Sequence, residues 1–63
     1  MNYETAIEAS NLLYKIESLE DLNNELKRIR ADLEDPDEES IILDAIEKIN
    51  AKQDELRRKI NEL

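Results

Sequence analysis

Two of the side chains that most often perform catalysis are missing from this 63-residue chain, which has no histidine and no cysteine. The usual general base and the strongest nucleophile are therefore absent, and the hydroxyls of Thr5, Ser10, Ser18 and Ser40 have no evident group to activate them. Carboxylate is abundant: 17 Asp and Glu stand against 9 Lys and Arg, a formal charge of −8. Carboxylates hold hard divalent cations, so magnesium-dependent chemistry is the one enzymatic class these residue types permit.

Four acids have a suggestive spacing. Glu17-Ser18-Leu19-Glu20, followed after thirteen residues by Glu34-Asp35-Pro36-Asp37, is similar to the E-x-x-E and E-x-x-D pattern of the all-α nucleoside triphosphate pyrophosphatases. The resemblance implies carboxylates that hold magnesium from facing helices. It is confined to these four residues, and Pro36 sets Glu34 and Asp37 on either side of a helix boundary, where they cannot share one helical face. The run Asp32 to Glu39 holds six carboxylates in eight residues, but it has neither the glycine nor the twelve-residue spacing of an EF-hand loop. Helix-terminal acids solvating a turn account for it. The expectation is no enzymatic activity, no metal and no cofactor.

The bases gather in two places. Lys27, Arg28 and Arg30 precede the proline, while Arg57, Arg58 and Lys59 come near the other end of the chain. Lys15, Arg57 and Arg58, with Tyr14 beside them, are candidates for contact with a phosphate or a nucleotide base. The plainer role of these bases is to pair with acids one turn away, as Asp54 with Arg58 and Glu55 with Lys59. A net charge of −8 repels phosphate backbones, so direct nucleic-acid binding is not expected. No apolar run approaches the ~20 residues of a bilayer span, and the opening MNYETAIEAS lacks a basic region followed by an apolar core. A cytoplasmic protein without a membrane partner is expected, in its own cell or in an infected host.

The elements that position these residues are helices. Glycine, valine and phenylalanine are absent, charged residues make up 41% of the chain, and Pro36 is the only proline. Straight-chain side chains suit helices, whereas strands favour β-branched and aromatic ones. Pro36 fits the first position of a helix, with Asp35 as its cap, Glu38 completing a capping box, and Asp37 to Glu39 at the positive end of its dipole. The expected domain is one all-α antiparallel two-helix hairpin over residues 1–63, with helix one at about 2–33, the turn at 34–35 and helix two at about 36–63. Ile42, Ile46, Ile49, Gln53, Leu56, Ile60 and Leu63 form a heptad seam on the second helix. Gln53, its polar member, is expected to hydrogen-bond across the seam. On the first helix Ala9, Leu12, Ile16, Leu19, Leu22, Leu26, Ile29 and Leu33 supply the matching stripe, which drifts at Ile16-Leu19-Leu22. Ser18-Leu19-Glu20-Asp21 reads as a second cap that could break this helix and make a three-helix unit. Folding at Asp35 pairs residues whose numbers sum to about seventy, which sets Ile16 against Gln53.

A hairpin leaves apolar residues over. Tyr3, Ile7 and Tyr14 point away from Leu12 and Ile16, Leu13 lies between the two groups, and Ile41 and Leu43 diverge from the second seam. These six residues, Tyr3, Ile7, Leu13, Tyr14, Ile41 and Leu43, are the candidate interface, because clustered exposed apolar side chains mark binding surfaces. An antiparallel pair of hairpins would join the two patches in a dimeric four-helix bundle. The leading expectation is a self-associating, non-enzymatic protein that binds a partner protein. In being small, acidic and cysteine-free, the chain resembles phage-encoded inhibitors of host defences. The alternatives are an acidic mimic occupying a DNA- or RNA-binding cleft and an oligomer that sequesters an anionic nucleotide.

Overall fold

The computed structural model describes residues 2–63, which form two helices packed against each other as a hairpin, α1 (Tyr3–Asp32) and α2 (Pro36–Asn61). The link is Leu33 to Asp35. Asp35 caps α2, its Oδ1 accepting from the Asp37 backbone N–H at 2.9 Å, and Pro36 takes the first helical position, where its missing N–H costs nothing. Glu38 does not close the capping box; it lines a groove with Ile41 and Ile42. Asn2 caps α1 in the same manner, accepting from the Thr5 N–H at 2.7 Å. No break occurs at Ser18, since α1 continues unbroken through it. Without a glycine or proline there, the internal cap signal does not outweigh continued packing on α2.

The hairpin is a plank of 50 × 15 × 10 Å, two helices wide and one deep. Such a shape can bury only the seam. Leu12, Ile46, Ile49 and Leu56 form the buried apolar core, joined by the polar Asn23 and Gln53, each only 3% exposed. The register expected from the sequence is realised at Gln53, whose Nε2 donates to the Ile16 carbonyl at 3.2 Å and to Glu20 Oε2 at 3.1 Å. Burial of this side chain is tolerated because its donors are satisfied.

The stripe on α1 requires correction. Leu22 is 50% exposed and Ile29 45%, whereas Asn23 is buried. The inward side is Thr5, Ala9, Leu12, Ile16, Leu19, Asn23, Leu26 and Leu33, none of them exposed, and these continue one seven-residue repeat. The seam does not drift. Keeping the heptad in phase with α2 outweighs the cost of an inward asparagine, and Leu22 and Ile29 are set one position to the side. Asn23 Nδ2 donates to Asn50 Oδ1 at 3.1 Å, while its own Oδ1 is buried without a partner.

Candidate interaction surface

The seven-residue repeat divides the surface of the hairpin. On α1, Lys15, Leu22 and Ile29 recur at intervals of seven along one flank of the seam, and on α2 Glu38, Ala45 and Lys52 do the same. In an antiparallel pair these two flanks adjoin, so they make one broad face. The opposite broad face carries Leu13, Glu20 and Lys27 from α1 and Leu43, Asn50 and Arg57 from α2.

Two grooves lie on the first face. One, of about 230 Å³, is lined by Ile29, Leu33, Glu38, Ile41 and Ile42 near the turn. The other, of about 470 Å³, lies towards the open end and is lined by Tyr14, Lys15, Ser18, Leu19, Lys52 and Leu56. Both have apolar floors made by seam residues. Ile41 and Tyr14 rise at their rims, 68% and 71% exposed, with Leu22 between them.

The six apolar residues singled out from the sequence are all exposed in the hairpin, but they do not form one surface. Tyr14 and Ile41 belong to the grooved face, Leu13 and Leu43 to the opposite one, and Tyr3 and Ile7 to the outer side of α1. Leu22 and Ile29, which the apolar stripe of α1 predicts to lie in the seam, complete the grooved face instead. The seven-residue spacing of Ala9, Ile16, Asn23 and Arg30 would have revealed them, had the asparagine been allowed inside.

The three candidate anion contacts are likewise separated. Lys15 lines the larger groove, where its neighbour is Lys52, a residue the sequence did not single out. Arg57 donates to Asp54 Oδ1 at 3.1 Å, and Arg58 stands in the last turn of α2. Asp54 thus pairs with Arg57 instead of the expected Arg58, while Glu55 does pair with Lys59, at 3.5 Å, and also with Lys52, at 3.1 Å. Those two ammonium groups, the hydrogen bond from Lys52 foremost, hold the Glu55 carboxyl below the usual range.

The acids of the pyrophosphatase-like spacing are not gathered. Glu20 and Glu34 are fourteen residues apart along α1 and its end, about 21 Å at the rise of an α-helix. Glu20 is engaged with Gln53. Among the described residues no three acids are placed to hold a metal ion, and no described helix is long and apolar enough to cross a membrane. Comparison of the chain with protein-family models, curated proteins and solved structures found no match to any of them.

Proposed function

We propose that this chain is a non-enzymatic, self-associating helical protein that acts by binding a partner protein. The observation that carries the reading is the mismatch between a seam that buries four apolar side chains and the large apolar side chains left exposed around it, nine among the described residues. Water-exposed isoleucine, leucine and tyrosine at this density are costly for solubility unless another surface covers them. Helix-face recognition requires nothing more than such a patterned surface on a rigid pair of helices. The test is capture by the immobilised chain, comparing wild type with a Leu13→Glu/Leu43→Glu double variant. A protein retained by the first and lost from the second supports the reading; identical retention overturns it.

A second reading, sequestration of an anionic nucleotide, draws on Tyr14, Lys15 and Lys52 around the larger groove. Against it, the floor is Leu19 and Leu56, and Lys52 is already paired with Glu55. A rise in thermal midpoint on adding nucleotide would favour this reading, because a ligand selective for the folded state must stabilise it. An unchanged midpoint removes it. The acidic-mimic alternative is weakened by the charge pattern, since Arg28, Arg30, Lys48, Lys52, Arg57 and Lys59 each stand within 3.5 Å of an acid and interrupt any continuous acidic ridge.

A further inference from the structure

Resting on the reading of the chain as self-associating, we propose which surface joins the copies: the grooved face is closed by a second, antiparallel chain about a two-fold axis at Leu22. Four observations lead there.

The first is area. The chain exposes 5007 Å², whereas a compact monomer of 7.4 kDa exposes about 4,200 Å². The excess, about 800 Å², is what each partner contributes to an interface of standard size.

The second is symmetry. The rim residues Lys15 and Ile29 are fourteen residues apart on α1, and Glu38 and Lys52 are fourteen apart on α2, about 21 Å in each case. Leu22 and Ala45 are the midpoints of these two intervals. A two-fold axis there lays the groove near the turn of one copy over the groove near the open end of the other, and does so twice, as an isologous interface requires.

The third is shape and charge. Ile41 and Ile29 form an apolar ridge near the turn, and the larger groove, walled by Tyr14 and floored by Leu19 and Leu56, is what they would meet. Beside the ridge stands Glu38, and beside the groove Lys15; neither has an ion pair within the chain among the described residues. An antiparallel copy about this axis stacks α1 on α1 and α2 on α2, which brings each Glu38 over the end of the partner that carries Lys52 and Lys15; a parallel copy sets those lysines against each other.

The fourth is the other broad face, where Glu20 and Asn50 hold the buried amides of Gln53 and Asn23. Covering that face would desolvate these groups and the Arg57 and Asp54 pair. The grooved face holds no such buried amide, and its ion pair, Lys52 with Glu55, lies at the rim of the larger groove.

The resulting assembly is a four-helix bundle that leaves Tyr3, Ile7, Leu13 and Leu43 outside, free for the protein partner.

Light scattering at tens of micromolar, with cross-linking, tests this. The wild type should have twice the chain mass. Ile41→Glu should halve that mass with helical circular dichroism retained, and Leu43→Glu should leave it unchanged. Lys15→Glu should weaken association at least about tenfold at low salt, and adding Glu38→Lys should restore it. Because the chain has no cysteine, Leu22→Cys supplies a clean cross-link: mild oxidation should give a disulfide-linked dimer, and Leu13→Cys should not. This readout holds even if Ile41→Glu prevents folding. A dimer lost with Leu43→Glu, or linked through Leu13→Cys in place of Leu22→Cys, overturns the assigned face and leaves self-association standing. A monomeric wild type overturns both.

Discussion

The two broad faces of the hairpin differ in how they treat the seam beneath them. On one, polar groups reach inward: Glu20 accepts from Gln53, and Asn50 accepts from Asn23. On the other the middle of the seam is roofed by the flanks of Leu22, Ile29, Ala45 and Ile41, with Lys15, Glu38 and Lys52 beside grooves that open onto Leu19, Leu33, Ile42 and Leu56. A polar contact that fixes register needs water at its outer side to complete its hydrogen bonds, so the middle of the first face, around Glu20 and Asn50, is finished as it stands. In the proposed dimer the apolar face is finished by a second copy. Under the proposed assembly, register and self-association fall on opposite sides of a structure one helix thick.

The severest way to disturb this division is to remove the residue that both sides share. Leu56 is buried in the seam and also floors the larger groove. Leu56→Ala should cost about 2–5 kcal/mol, against a total of roughly 3–9 kcal/mol for a domain of this length. The expected outcome is a chain largely unfolded by circular dichroism near room temperature. A midpoint lowered by only a few degrees would mean that the seam near the open end contributes little.

Asn23→Leu moves stability the other way. The mutation removes a buried oxygen without a partner and leaves Asn50 to water, so stability should rise by about 1–3 kcal/mol, equivalent to roughly 4–8 °C per kcal/mol in thermal midpoint. What is lost is a device that favours one register, and exchange broadening of the seam resonances in NMR spectra would report it. An unchanged midpoint would show that water already satisfies Asn23 Oδ1.

These residues also show how far the sequence could be read. The hairpin, the position of its turn and the placing of Gln53 against Ile16 were legible, because Pro36 has few alternatives and α2 carries a regular seven-residue apolar repeat, whereas the second acceptor of Gln53, Glu20, was not. The course of the α1 seam was not. Leu22 and Ile29 are better apolar residues than Asn23 and Arg30, and local composition favours them as core. Only the requirement that two helices stay in phase over their length places the asparagine inside. The surface was half legible for the same reason: Tyr14 and Ile41 stood out as surplus, but Leu22 and Ile29 were counted as core, so the face they complete could not be seen. Which cations flank the groove depends on rotamers, and these choose Arg57 over Arg58 for Asp54.

Smaller changes sharpen the comparison. Glu20→Ala removes an acceptor from Gln53 while leaving the Ile16 carbonyl in place. Since Glu20 is exposed, water replaces much of the bond, and the loss should stay below about 1 kcal/mol. Its signature should be local: a shift of the Gln53 side-chain amide in NMR spectra, with the oligomeric mass unchanged. A fall in mass would mean that the polar face takes part in assembly.

The smallest effect separates folding from assembly. Glu55 binds Lys52 at the rim of the larger groove, and Lys52 is the main reason its carboxyl is held below the usual range. A depressed folded-state pKa contributes stability above the unfolded value, and that contribution is lost as pH falls through the folded one. Glu55→Gln should therefore lower the midpoint of the hairpin slightly at neutral pH, the pair being exposed and weak. At the same time it frees the Lys52 ammonium to attract Glu38 of a second copy, so dimerisation should tighten while the fold loosens. Below the folded-state pKa the wild-type carboxyl is as neutral as glutamine, and the two proteins should converge in both midpoint and dissociation constant. Sedimentation of wild type and Glu55→Gln from neutral to acidic pH checks this, because the other acids titrate equally in both. If dimerisation weakens together with folding in Glu55→Gln, Lys52 does not face the second copy, and the charge complementarity rests on Lys15 alone.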